Sequence, residues 1–337
     1  MVEAAAILAG DRRQMARLLT LIENGAPEAQ GPLAELFAHT GRAHLIGITG
    51  PPGSGKSSLV NELAKHYRQA APPVSVAILA VDPSSPFTGG AILGDRIRMR
   101  DLAGDPGVFI RSMASRGSLG GLAAATADMA RVLDAAGFEQ VLIETVGAGQ
   151  SEVEVARMAQ TTVVVEAPGL GDDVQAIKAG LLEAADVLVV NKADRPGADA
   201  AVRALRASLD LAHPTQRRWA VPVGFQHDAS AAPPAPPAPA DIWMPPILQT
   251  VAIQGRGIDA LIEAIGQHRR RLAATGELAV RERERLVHEL YNRLRDRLLA
   301  GLLAQVGPSA LDEALDRILR RELDPGSAAR RLADQVQ

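Results

Sequence analysis

Residues 50–57 read GPPGSGKS and fit the pattern G-x-x-x-x-G-K-[ST]. The apolar run HLIGIT precedes them and the helical run SSLVNELAKHYR follows, the strand, loop and helix order that a phosphate-binding loop requires. Along Gly50, Pro51, Pro52, Gly53, Ser54 and Gly55 the backbone can turn its N–H groups inward around an anion. Lys56 then reaches the β- and γ-phosphates, Ser57 offers its hydroxyl to Mg2+, and Ser58 completes the binding turn.

A second constellation lies in EQVLIETVGAGQSE, where Glu144 ends an apolar run and Gly147 follows three residues later. A carboxylate at the C-terminal end of a strand faces the crevice where α/β sheets bind ligands, and there it can hold the water shell of Mg2+. A nearby glycine lets a loop respond to the γ-phosphate. Asp82 ends the run VSVAILAV, and Asp95 lies in a glycine-rich stretch with Arg96 and Arg98. By position alone each aspartate is either a site residue or a surface-turn residue. Residues 191–194, NKAD, end a further apolar run. A carboxylate at Asp194 can accept hydrogen bonds from N1–H and the exocyclic amine of guanine. Adenine offers neither donor there, so Asn191 and Asp194 favour GTP over ATP. Lys192 is expected to lay its stem against the purine face.

These groups need a frame that brings distant residues together. From His44 the chain alternates short β-rich runs with helical stretches: HLIGIT, VSVAILAV, GVFIR, EQVLIE, TTVVVEA, DVLVVN, AVPV and ILQTVAI. Near-continuous apolar strands alternating with helices predict an α/β fold, a mostly parallel sheet flanked by helices on both faces. Residues 1–42 form a helical N-terminal extension with Leu18, Leu19, Ile22, Leu33, Leu36 and Phe37 at helical spacing, broken at Gly25, Pro27, Gly31 and Pro32. Residues 43–268 hold the nucleotide motifs, and residues 269–337 are a helical C-terminal arm. The Pro/Ala-rich run at 230–241 is expected to be an extended surface spacer.

In the arm, Val287, Tyr291, Leu294, Leu298 and Leu302 make one apolar stripe, and Gly307 and Pro308 stop that helix. Ser309 opens another, and Ser327 is expected to cap a last one after the Asp324, Pro325, Gly326 break. The stripe either packs on the parent domain or drives oligomerisation.

Composition narrows the function classes. The 337 residues are 47% hydrophobic and 22% charged, which suits one large domain with helical additions or two small domains. Aromatic residues are only 3%, and 36 Lys+Arg stand against 39 Asp+Glu for a net charge of −3. Neither the stacking platforms nor the basic field of a nucleic-acid binder is present. The absence of cysteine removes disulfides, iron–sulfur clusters and thiolate metal sites, and fits a reducing compartment. The seven histidines show no HExxH or HxH spacing. No apolar run reaches the ~18 residues of a membrane span, and the N-terminus lacks a basic leader, so a cytoplasmic protein is expected.

The order of GPPGSGKSS, AVDPSSPFTGGAILGDRIRM, GSLGGLA, IETVGAGQSE, APGLGDDVQAIKAG and NKAD resembles the MeaB/ArgK-type GTPases, G-protein chaperones associated with methylmalonyl-CoA mutase. The likeness covers nearly the whole chain, including the tail ending PGSAARRL. It implies a P-loop NTPase sheet of the SIMIBI type, slow hydrolysis of GTP to GDP and phosphate, and a homodimer formed by the C-terminal helices. It further implies that the chain gates adenosylcobalamin loading into a cobalamin-dependent acyl-CoA mutase, and protects or reactivates that mutase. Adenosylcobalamin would be met only through this partner. By matching motif, Lys56 and Ser57 hold phosphate and Mg2+. Asp82, Asp95 and Glu144 form the acidic set around metal and attacking water, with Arg98 close by. GGAILGDRIRM corresponds to the first switch, VGAGQSE with Gly147 and Gln150 to the second, and PGLGDDVQAIK with Asp172, Asp173 and Lys178 to a partner-sensing third.

Three departures stand out. Thr250, Val251 and Ala252 replace the usual Thr-Ser-Ala of the last guanine loop, which removes a hydroxyl and keeps the backbone donor of Ala252. The third switch reads GLGDDVQ in place of GAGDELQ. Glu166 occupies a strand that is usually apolar at that point, as an edge contact with solvent or as an adjustment to a different mutase. Alternatives are a nickel-insertion GTPase, which would need Cys/His ligands, a protein kinase of an amino-acid transport system, and a dimeric scaffold without hydrolysis.

Overall fold

Runs of Val, Ile, Leu and Ala that are covered on both faces become strands, and parallel strands need helical crossovers. The computed structural model describes residues 2–83, 99–102, 104–115, 119–145, 151–169, 179–211 and 242–335. Its strands are β1 (His44–Thr49), β2 (Val76–Pro83), β3 (Val108–Ser115), β4 (Gln140–Thr145), β5 (Thr161–Glu166), β6 (Val187–Val190) and β7 (Ile247–Gln249). All pair in parallel in the order β3-β2-β4-β1-β5-β6-β7. The run AVPV and the whole Pro/Ala-rich spacer at 230–241 lie outside the described residues. ILQTVAI gives only a short strand, because the chain leaves the sheet at Thr250 for a 3-10 turn over Ala252–Gln254.

Side chains alternate between two cores. Ile46, Ile48, Ile78, Leu142, Val163 and Val165 pack with α4 (Lys56–Gln69) and with Ile258, Leu261 and Ile265 of α9 (Ile258–Thr275). Leu45, Ala77, Leu79, Val141 and Ile143 face the other way. They meet α5 (Leu119–Ala135), α6 (Ser151–Met158) and the N-terminal helices α1 (Ala4–Leu8), α2 (Arg12–Glu23) and α3 (Gln30–Phe37). Val164, Leu188 and Val190 pack with α7 (Ala179–Glu183) and α8 (Ala198–Leu211).

Asp11 starts α2 by accepting from Arg13 N at 2.8 Å and Gln14 N at 3.0 Å. Gly31 and Pro32, expected as breakers, sit in the first turn of α3, where a missing N–H costs little because it has no intrahelical partner. α2 also covers the outer edge of the sheet. Arg12 donates to Pro106 O and, at 2.9 Å, to Val108 O at the start of edge strand β3. Arg111 of β3 pairs with Glu23 at 2.5 Å. The first carbonyl of this edge strand, which would otherwise face solvent or another chain, is thereby occupied.

Among the described residues two units divide near Arg285, the second beginning at Leu286. The helix α10 (Glu277–Leu319) is interrupted at Gly307, at φ 74° and ψ 162°, immediately before Pro308, where the sequence places the break. No residue of α10 is buried, and Leu298 is 72% exposed. The last helix, α11 (Pro325–Asp334), is capped by Asp324, which accepts from Ser327 N at 3.0 Å, and Pro325 takes the first helical position. Asp324 is therefore the cap, and Ser327 supplies the bonded N–H. Among the described residues no helix is long and apolar enough to cross a membrane.

Candidate functional site

The C-terminal ends of β4, β1, β5 and β6 lie side by side, and they present Glu144, the loop from Gly50, Glu166 and Asn191. The first crossover carries the chain from β1 through α4 to β2, past β4, while later strands extend the sheet the other way. Parallel sheets open a ligand crevice at such a reversal.

The loop after β1 depends on two glycines. Gly50 has φ 136°, and a Cβ there would lie 2.1 Å from Val165 O. Gly55 has φ 92° at the N-terminus of α4, and a Cβ there would lie 2.4 Å from Asn191 Nδ2. Pro52 and Gly53 are exposed, while Ser54 is buried. Lys56 Nζ donates to Gly50 O at 2.8 Å and Pro51 O at 2.9 Å, so the loop's carbonyls hold the ammonium group over the cradle. Ser57 Oγ donates to Glu144 Oε1 at 2.6 Å, both residues being buried, and Ser58 is half-buried in the same turn. A hydroxyl and a carboxylate held together at a helix N-terminus are hard oxygen donors, the chemistry that fits Mg2+.

Asn191 is 2% exposed and braces three segments. Its Nδ2 donates to Ser54 O at 2.9 Å, and its Oδ1 accepts from Thr250 Oγ1 and Ala252 N, each at 3.1 Å. Lys192, at φ 58°, reaches back to donate to Gly53 O at 2.5 Å, so its stem spans from the NKAD loop to the phosphate loop. Asp194 is exposed. Val251 is buried, with its N–H bonded to Arg256 O at 3.0 Å. The hydroxyl missing at position 251 therefore leaves an apolar side chain in the core, and the neighbouring Thr250 supplies the hydroxyl that Asn191 uses.

Glu166 is not at an edge: β5 lies between β1 and β6. Its carbonyl accepts from Asn191 N at 2.7 Å. Burial pushes its carboxyl above the usual range, opposed by the Ala167 N–H and by the charge of Lys56.

Gly50, Pro51, Pro52, Gly53, Ser54, Gly55, Lys56, Ser57, Ser58, Glu144, Asn191, Lys192, Asp194, Val251 and Ala252 thus gather at one end of the sheet, Glu144 near the end of β4, Lys56, Ser57 and Ser58 in the first turn of α4 and the others in the segments after β1, β6 and β7. Asp82 falls within β2, with its side chain outside the described residues. Asp95, Arg98, Gly147, Gln150, Asp172, Asp173 and Lys178 also lie outside them. The resemblance alone places Thr250 in the last guanine loop; the structure adds its partner, since its hydroxyl donates to Asn191 Oδ1.

Residues 15–306 match the family model described as Methylmalonyl Co-A mutase-associated GTPase MeaB. A Pyrococcus horikoshii protein whose name carries the word GTPase is 45% identical over 330 residues, covering 97% of this chain and 95% of its own. GTPase ArgK of Escherichia coli is 33% identical over 340 residues, covering 97% and 94%. The crystal structure of a LAO/AO transport system kinase superposes with TM-score 0.68 at 27% identity, covering 99% of this chain and 96% of that one.

Proposed function

The chain belongs to the MeaB family of GTPases, and from that premise we propose that it is a GTP-hydrolysing chaperone of a cobalamin-dependent acyl-CoA mutase. It would gate the loading of adenosylcobalamin into that partner and protect or reactivate it. The observation that carries this reading is the meeting of the Lys56 cradle, the Ser57–Glu144 oxygen pair and the Asn191 brace at one end of the sheet.

Lys56 is already aimed over the cradle, and phosphate oxygens replace Gly50 O and Pro51 O as its acceptors. Ser57 and Glu144 would hold Mg2+, which when bound would supply neutralisation of phosphate charge. Asp194 accepts from guanine, and Asn191 keeps the base loop and the phosphate loop at a fixed spacing. Asp82, Asp95 and Arg98 complete the hydrolytic set. Gly147 and Gln150 respond to the γ-phosphate, and Asp172, Asp173 and Lys178 pass that state to the mutase. A nucleotide shifts the partner only as far as the two loop states differ in their affinity for it. The exposed stripe of α10 supports a homodimer through the C-terminal arm, in a protein of the cytoplasm. A second reading, phosphate transfer to a transport protein, is favoured only by the name of the LAO/AO neighbour.

The test is phosphate release from GTP, with ATP as control, with and without a purified cobalamin-dependent acyl-CoA mutase. Slow GTP-specific turnover accelerated by the mutase is expected. Phosphate appearing on protein rather than in solution would favour the kinase reading, and absence of turnover in both conditions would overturn the chaperone reading.

A further inference from the structure

The backbone pairing of β1 with β4 runs from His44↔Gln140 to Ile48↔Glu144 and stops one residue short of both strand ends. Side chains make the next rung. Thr145 Oγ1 donates to Thr49 Oγ1 at 3.1 Å, and both residues are 0% exposed. Immediately beyond, Gly50 turns the phosphate loop against Val165 of β5, away from β4. The hydroxyl pair therefore stands at the fork where the two strands part.

Its place in the alternation separates it from the ligand. Ile48 and Leu142 face α4, and Glu144 continues that face to reach Ser57. Thr49 and Thr145 follow Leu45, Val141 and Ile143 onto the opposite face. That face is closely covered by α6, since a Cβ on Gly47 would lie 3.0 Å from both Val155 Cγ1 and Ala159 Cβ. The threonines act on the site only through the backbone that carries Glu144 and Gly50.

We propose that Thr145 and Thr49 are positioning residues for GTP hydrolysis: their hydroxyl rung locks the end of β4 to the root of the phosphate loop and so sets Glu144 at its spacing from Ser57. The inference rests on the nucleotide reading above. A buried hydroxyl deprived of its partner is costly, whereas replacing both partners by apolar groups can be nearly neutral. Stability and positioning can therefore be pulled apart.

The experiment compares the full chain with Thr145→Val, Thr49→Val, the double variant and Thr145→Ser. It reads Tm, single-turnover hydrolysis of GTP, and the factor by which Mg2+ slows release of a fluorescent GDP. Thr145→Val should lower Tm, slow hydrolysis by about tenfold and shrink the Mg2+ effect by a similar factor, while Thr145→Ser keeps both within about twofold. In the double variant Tm should recover while hydrolysis and the Mg2+ effect stay low. Recovery of all three together, or a Thr145→Val variant that loses only Tm, would overturn the proposal alone. A wild-type chain that binds no GTP would overturn the functional reading and this proposal with it.

Discussion

The side-chain amide of Asn191 lies 2.9 Å from Ser54 O, while its oxygen accepts from Thr250 and Ala252 at 3.1 Å. A residue whose motif points to the base thus fastens the phosphate loop to two segments of the base site. Asn191→Ala removes all three bonds from a buried position, at about 1 kcal/mol each. GDP and GTP affinity should fall together, by roughly 100- to 200-fold. Asp194→Asn should act differently, because Asp194 is exposed and braces nothing comparable. It should weaken GTP and improve xanthosine triphosphate, whose carbonyl replaces the guanine amine. Equilibrium titrations with labelled nucleotides separate the two, and unchanged GDP affinity in Asn191→Ala would end the brace assignment.

The two loop glycines should differ in severity. A Cβ at Gly50 meets the backbone carbonyl of Val165, held in the middle of the sheet, whereas at Gly55 it meets the amide of Asn191, a side chain able to swing. Gly50→Ala should therefore abolish nucleotide binding and lower Tm by several degrees, the response to a loss of about 2 kcal/mol. Gly55→Ala should keep the fold and lose affinity through the broken Asn191 bond. Equal Tm losses in the two variants would contradict this ranking.

What could be read in advance follows the distance over which each interaction acts. The phosphate loop is legible because its cradle, lysine and hydroxyl are consecutive residues between one strand and one helix. Gly307 and Pro308 are legible for the same reason, as local backbone chemistry breaks the helix. Thr49 and Thr145 are not: they meet only because β4 lies beside β1, an order that no local pattern encodes. Glu166 was open to misreading as an edge residue because neighbours in the sheet, absent from the sequence, decide what is an edge. Between Asp324 and Ser327 the cap depends on which backbone turns first, and Pro325 at the first helical position favours Asp324.

Stability should peak between two titrations of opposite sense. Burial, reinforced by Arg269 and His268, pushes His44 down to about 3 from 6.5. The fold thus holds His44 neutral; that contribution is present above pH 6.5 and is lost as pH falls toward 3. Glu154 is raised to about 7 from 4.5, by burial that outweighs Arg157. Its protonated form is favoured in the fold, so its contribution is present below pH 4.5 and is lost as pH rises through 7. Glu154→Gln cannot ionise and should gain roughly 1 kcal/mol over wild type at pH 8, after allowance for solvent screening, and nothing at pH 4. Urea midpoints across pH 4–9 would measure this, and parallel curves for variant and wild type would refute it.

The C-terminal arm should be where two copies meet. Leu290, Leu294, Leu298 and Leu303 are 50%, 45%, 72% and 41% exposed on a helix with no buried residue. Apolar area left in water forgoes about 25 cal/mol per Å2, and an exposed patch of several leucines is the ordinary signature of an association surface. A second copy supplies the same stripe by symmetry, which a two-fold axis makes self-complementary. Leu294→Glu with Leu298→Glu would put like charges on both copies at the centre of that contact. Sedimentation should then show a monomer at concentrations where wild type is a dimer, and the concentration dependence of Tm should vanish. Nucleotide affinity should not change, because the described groups assigned to nucleotide binding lie in the phosphate loop, the first turn of α4, the end of β4 and the segments after β6 and β7, none of them in the arm. A wild-type chain that remains monomeric at tens of micromolar would assign the stripe to a different partner. In that case the mutase itself becomes the surface to test against the same double variant.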